Sequence, residues 1–447
     1  MRTLLALTLL AGCSSAFATP NAGELAALPR SDLAATRARG PVALTELLAA
    51  YDAAPRGLAK SALGLEVDAV AAQRYATVSR LYWYTDLPSA EAEAQRRHVP
   101  ILSLRMLGRL DEDLSCANSR LFRATLYANT EVATFLRDHF VLHWSSERAV
   151  PRVTIDFGDG RTLERTTTGN SAHYVLDEHG RVLDVLPGVY APVAFEKELR
   201  ESLVRAAQIA ALHDADRAGA IMALQTSLVG RAETWLRNLG PAPIVDGQAR
   251  LLGSSDVRAA QLSLAQQVTV SKARMEVPDL KRFGFAVAGP SEDDLAAWAT
   301  AGQIMYGIGD LAELLPADGA YGAAVPRPAR VTRPALPARH VLDAASRALI
   351  ERLHDAVPDA LVASKPQLAQ MLDRLEQHVV ADTAINELRL RPLIAQHIAQ
   401  TGGAESFEQL NTWVYAEVFK TPRSDAWLGL VPRTDFTGLP GDGIVTR

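Results

Sequence analysis

Ser115-Cys116-Ala117-Asn118-Ser119-Arg120 separates an apolar run, Val99 to Leu107, from a segment whose apolar residues Leu121, Phe122, Leu126, Val132, Phe135 and Leu136 follow helical spacing. The run is interrupted only by Ser103 and Arg105, the pattern of a strand buried inside a sheet, and Gly108 ends it. Cys116 thus heads a helix that follows a central strand. A helix N-terminus stabilises a thiolate through its macrodipole and free N–H groups, so the position suits a reactive thiol. It equally suits a small buried residue packed under the helix.

Working outward, Arg74 to Tyr84 is aromatic and predicts a short strand. Asp86-Leu87-Pro88 opens a helix that runs to about Arg97, with proline near its first turn. Downstream, Asn129-Thr130 is a restart cap, and Phe140 to Trp144 predicts another strand. Pro151 to Phe157 and Arg161 to Thr168, about Gly158-Asp159-Gly160, read as a hairpin. Ala172 to Asp177 and Arg181 to Leu186, about Glu178-His179-Gly180, read as a second, closed by Pro187-Gly188. A helix from about Pro192 to Leu212 follows. Strands joined by tight turns must be antiparallel, so the expected class is an α/β sandwich with a mixed sheet rather than a doubly wound one.

The second half is mostly α-helical by period. Apolar spacing marks Ala206 to Leu239, Asp256 to Lys272, Asp293 to Leu315, Val341 to Val357, Pro366 to Ala399 and Phe407 to Phe419. Pro392 splits or kinks the fifth. The expected divisions are a leader at 1–18, a linker with short helices at 19–69, the α/β domain at 70–205, a helical region at 206–322, a proline-rich linker at 323–337, and a helical region with a tail at 338–447. Arg389 and Arg391, with Glu387 just before them, read as a solvated or partner-facing helix edge.

The chain has 447 residues, a net charge of −5, 48% hydrophobic and 22% charged residues, and no basic tract, so nucleic acid is not an expected partner. Arg2 and the apolar run Thr3 to Ala11 read as a secretory signal, too short for a membrane span. Two processing sites overlap in it. Leu10-Ala11-Gly12-Cys13 has the pattern of a bacterial lipoprotein box, which favours lipidation at Cys13, and Ala16-Phe17-Ala18 is an ordinary cleavage site. By resemblance to sorted lipoproteins, Ser14 would direct the chain to the periplasmic side of the outer membrane; ordinary cleavage would leave it periplasmic or secreted. Either way Cys116 is left without an intramolecular disulfide partner, which excludes Cys-rich zinc sites and haem attachment, and no cofactor or metal is expected. His143 with Glu147 is too sparse for a metal site.

Tyr82-Trp83 before an Ala/Glu helix, the strand Val99-Pro100-Ile101-Leu102, Cys116-Ala117-Asn118-Ser119 at a helix start, and Gly169-Asn170-Ser171 leading into Tyr174-Val175-Leu176-Asp177 together resemble the thioredoxin-like superfamily, in its secreted bacterial branch, over about residues 70–205. The family's C-x-x-C is here C-x-x-S, with Ser119 at the resolving position, and Ser171 stands at the cis-proline position. The resemblance implies that the 169–171 loop faces Cys116 and brings Asn170 and Ser171 close. Arg120 and His173 could add positive charge there, while Asp111, Glu112 and Asp113 would oppose it. An alcohol cannot resolve a mixed disulfide, so only monothiol steps stay open: thiol exchange, capture of a thiol partner, or one-cysteine peroxide chemistry, each needing an external thiol. The alternative is a catalytically silent scaffold whose helical half binds an envelope partner. Neither oligomeric state nor substrate is legible.

Overall fold

The computed structural model describes residues 32–239, 276, 292–308, 341–356, 362–428, 439–440 and 444. The leader with Cys13, the helix expected at 256–272, the proline-rich linker and most of the tail lie outside the described residues. In chain order come α1 (Leu33–Ala38), α2 (Pro41–Ala53), α3 (Leu58–Ala71), a helical turn (Ala76–Ser79), α4 (Leu87–Arg97), β1 (Ile101–Leu107), α5 (Ala117–Leu121) running into a π-helical turn (Phe122–Leu126), and α6 (Thr130–His139). Next are β2 (Val141–Arg148), the pair β3 (Arg152–Asp156) and β4 (Thr162–Thr166), then β5 (Ala172–Leu176), β6 (Val182–Pro187), α7 (Pro192–Ala210) and α8 (Asp214–Leu239). The rest are α9 (Glu292–Tyr306), α10 (Ala344–His354), α11 (Lys365–Ile385) with a π turn (Asn386–Leu390), α12 (Arg391–Thr401), and α13 (Phe407–Trp413) with a π turn (Val414–Val418).

Every residue of β1 is buried, Ser103 and Arg105 included, as a mostly apolar run requires of a strand covered on both faces. The sheet order is β2-β1-β5-β6, with β1 and β2 parallel and β5 antiparallel to both β1 and β6. The parallel step is made by the cysteine-headed helix; the antiparallel step is the tight turn at Asp177 to Arg181, where Asp177 Oδ1 accepts from the His179 and Arg181 amides. The pair β3 and β4 forms a separate two-stranded sheet. Fold class is thus mixed α/β followed by a mostly helical C-terminal region.

One local expectation needs correction. Arg74 to Tyr84 is not a strand: Asp68 Oδ1 accepts the Ala76 amide at 2.8 Å and fixes the helical turn, and only Tyr84 joins the sheet, as a parallel bridge to His143 beyond β2. Tyr75 and Arg80, which bracket the turn, have φ of 65° and 56°, outside strand geometry. The part of 19–69 from Leu33 onward carries packed helices. Its Ala and Leu residues make α1 to α3, whose buried Ala43, Leu44, Leu48, Val67, Val70 and Ala71 pack together. Arg37 ties this layer to the sheet by donating to the carbonyls of Val70 and Trp83. Pro392 lies at the start of α12, just past the π turn that absorbs the missing N–H.

One apolar core runs from Ala72 to Phe419 and includes both sheet residues and α10 to α13. The Tyr174 ring meets Phe407 edge-on at 4.9 Å, and the Tyr174 hydroxyl donates to Asn411 Oδ1 at 3.0 Å. In α9, a Cβ on Gly302 would lie 2.4 Å from the Val380 carbonyl oxygen, so only glycine allows α9 to lie this close to α11. No described helix is long and apolar enough to cross a membrane.

Glu387 and Arg391 do not form a solvated edge. Arg391, 2% exposed, donates to Asp184 on β6, Glu198 on α7 and Glu387, while Arg231 on α8 donates to Glu198 and Glu387. Tyr190 and Tyr306 hydroxyls donate to Glu387 and Glu198 at 2.8 and 2.9 Å. Arg389 is half-buried. Burial is tolerated because each charge meets an opposite one and remaining lone pairs are bonded.

Candidate functional site around Cys116

The loop from Gly108 to Ser115 is shaped by Arg123, a cation on an otherwise apolar helix face. Arg123 is 2% exposed and donates to the carbonyls of Leu110 and Glu112 and to Ser115 Oγ; burial draws its pKa down to about 10. The three acids upstream of the thiol are engaged elsewhere: Asp113 pairs with Arg74 and Tyr75, and Asp111 and Glu112 pair with Arg109.

Cys116 is the N-cap of α5, in extended backbone conformation, and its side chain makes no capping bond. It is fully buried. Its sulfur lies 3.2 Å from Ser171 Oγ, so the loop before β5 does face the cysteine. Gly169, at φ 111°, closes over it: a Cβ there would stand 3.0 Å from Cys116 Cβ and 2.8 Å from Leu107 Cδ1. Among the described residues no peptide bond is cis, Ser171 included.

The other expected site residues divide. Ser119 Oγ lies 2.6 Å from Ser115 Oγ and 2.9 Å from the Cys116 carbonyl oxygen, so it closes the first turn of α5 rather than meeting the sulfur. His173 is fully buried, with Nε2 2.6 Å from the Tyr127 hydroxyl and its ring between Phe122 and Phe195. Burial pulls its pKa down to about 3, so it is neutral and supplies no charge. Arg120 donates to Thr166 Oγ1, which donates to the Ser115 carbonyl. Burial lowers the Arg120 pKa, opposed by the negative charge of Glu276. Asn170 turns toward the C-terminal helices: its Nδ2 donates to the Phe419 carbonyl at 3.3 Å, and its own carbonyl accepts from Tyr415.

Sequence reasoning missed Arg123, Tyr127, Asn118 and Glu276. Asn118 is fully buried with neither amide atom partnered among the described residues, and Glu276 Oε2 accepts the Thr168 amide at 2.9 Å. Arg123 and Asn118 carried a signal, as polar residues where helical period demands apolar ones. Tyr127 and Glu276 carried none. No group of three or more His, Cys, Asp or Glu among the described residues could hold a metal ion. Chemically, the assembly is a sealed thiol beside one hydroxyl, with a neutral imidazole bound to a phenol.

Neutral burial of two histidines sets a pH dependence. His143 Nδ1 lies 2.8 Å from Ser103 Oγ, and its pKa, like that of His173, falls to about 3, first by desolvation and then by repulsion from Arg105. The unfolded chain takes up these protons near the ordinary value of 6.5 while the folded one refuses them. Their stabilising contribution is therefore present above pH 6.5 and is lost as pH falls toward about 3, by roughly 1.4 kcal/mol per pH unit per histidine. Urea unfolding at neutral pH and at about pH 4.5 should show this loss, and His173→Gln should flatten it.

Comparison with protein-family models, with curated proteins and with solved structures finds no match to this chain.

Proposed function

We propose that the protein is a thioredoxin-like scaffold of the bacterial cell envelope, silent as a catalyst, whose helical half meets an envelope partner. The observation that carries this is the complete burial of Cys116 beneath Gly169 and Ser171, with Asn170 beside them fastened to Tyr415 and Phe419. A thiol must ionise and be reached to react, and Cys116 has no exposed surface in the folded state. The thioredoxin-like assignment is supported by the strand order, by the helix headed by Cys116 between the parallel strands, and by the antiparallel hairpin that completes the sheet. The envelope assignment is supported by the N-terminal leader alone, and lipidation at Cys13 is tested by whether Cys13→Ala abolishes labelling with a palmitate analogue.

A second reading, monothiol exchange at Cys116 with an external thiol, is favoured by the sulfur's place at a helix N-cap. Thiol titration separates the two. Folded protein should leave Cys116 unmodified by an alkylating reagent until denaturant is added; rapid alkylation of the folded chain well below the free-cysteine pKa of about 8.5 would replace the scaffold reading with the exchange reading. Partner capture from envelope extracts should survive Cys116→Ser, and loss of the partner with the thiol alone would count the same way.

A further inference from the structure

On the opposite side of the sheet from β6, where Tyr84 bridges to β2, the α1–α2 junction and α4 enclose a cleft of about 620 Å³. This lies within the range of small-molecule sites, roughly 300–1,000 Å³. Its lining includes Arg37, Arg39 and Arg96 and the Tyr82 and Tyr84 rings, edge to face at 5.0 Å. A second chamber of about 90 Å³ lies against it, sharing Pro41, Tyr82, Tyr84 and Glu93; Leu44, Leu48, Leu81, Phe140, Val141 and Leu142 give it a mainly apolar wall, with Thr45, Arg80, Arg97 and Arg137 also lining it. At ~30 Å³ for each water, the chamber holds about three waters, the space of a short branched apolar group.

The charges in the cleft are unequally satisfied. Arg39 pairs with Glu46 and Arg96 with Glu93. Asp86 caps α4, where the Ser89 amide and hydroxyl meet its charge. Arg37 donates only to carbonyls and lies over the Tyr82 ring at 5.2 Å, with no carboxylate partner among the described residues. The Tyr84 hydroxyl, also in the cleft, has no hydrogen-bond partner among them either. Arg97, in the inner chamber, likewise donates only to the carbonyls of Phe140, Arg137 and Asp138, so the site offers cations without carboxylate partners and one unused donor beside a mainly apolar chamber.

We propose that this cleft binds a small carboxylate bearing a short branched apolar group, its head between Arg37 and the Tyr84 hydroxyl and its tail in the inner chamber. A phenol suits the head because it stays protonated: desolvation and the charge of Glu93 push the Tyr84 pKa up to about 12, so it donates throughout the ordinary pH range. The proposal is independent of Cys116 and of the scaffold reading.

Calorimetric titration of the full chain with 4-methylpentanoate tests it. Saturable binding is expected, with acetate weaker by about fifty- to two-hundred-fold for want of the buried carbons, and 4-methylpentan-1-ol weaker than the acid. Tyr84→Phe, which removes one hydroxyl, should weaken the acid about five- to tenfold, and Leu48→Phe, which fills the chamber, should bring it down to the level of acetate. If Leu48→Phe fails to fold, Tyr84→Phe and the ligand series decide. A leucine-terminated tripeptide that binds as well as the free acid would mark chain termini as the source, and one that does not bind would mark free acids. Absence of saturable binding, equal binding of acetate, equal binding of the alcohol, or an unchanged Kd in folded Tyr84→Phe would each overturn the proposal.

Discussion

Arg391→Met should lower the stability of the whole protein by about 3–5 kcal/mol, because it leaves Asp184, Glu198 and Glu387 buried without their shared cation. Arg231 remains on Glu198 and Glu387 but does not reach Asp184, whose other side-chain partner is the Ser202 hydroxyl. Denaturant unfolding at neutral pH measures the loss. The pH response separates the acids. Arg391 and Arg231 hold Glu198 down to about 2 against desolvation, so its contribution is present above its ordinary 4.5 and lost as pH falls through about 2. Glu387 moves the other way, raised by desolvation and by Glu198, and its share is lost as pH rises. Arg391→Met should therefore be less destabilised in mild acid, where the stranded carboxylates take up protons, and a penalty equal at every pH would contradict this account.

Trp83→Ala should cost about as much, roughly 3–5 kcal/mol, through the cavity it leaves. Trp83 has no exposed surface, packs against Tyr127 with ring centroids 5.0 Å apart, and donates from Nε1 to Gln73 Oε1 at 2.7 Å. Its backbone lies where the N-terminal helices meet the sheet, since its amide donates to Ala71 and its carbonyl accepts from Arg37. Truncation also leaves a buried acceptor on Gln73. A shift of the urea midpoint with unchanged slope is the expected signature; Trp83→Phe, which keeps most of the volume, should recover much of the loss.

What was legible in the sequence is what neighbours in sequence determine. The mostly apolar run of β1, the Asn129 cap of α6 and the turn residues of both hairpins each encode their element within a few positions. The strand expected before Tyr84 failed because aromatic residues serve a turn as readily when Asp68 supplies a cap from α3. Arg391 and Glu387 looked like surface charges because their partners lie far off, Asp184 at a separation of 207 residues and Tyr190 at 197. The exposure of Cys116 was equally illegible. Its position at a helix start is local, whereas its cover depends on Gly169 and on contacts of Asn170 with Tyr415, 245 residues away.

The junction between the sheet and α13 also constrains the order in which the molecule can form. Arg105 on the central strand pairs with Glu408 on α13, 303 residues later in the chain, and its guanidinium stacks on Phe407 at 4.3 Å. At about 5–20 residues per second, a ribosome needs roughly 15–60 s to make the second partner after the first, far longer than a helix or hairpin takes to form. Until then Tyr174 and Arg105 lack the contacts that Phe407, Glu408 and Asn411 give them. Nascent chains stopped before Ser406 should accordingly hold a chaperone that recognises open apolar surface, and release from it should coincide with emergence of Phe407 to Phe419.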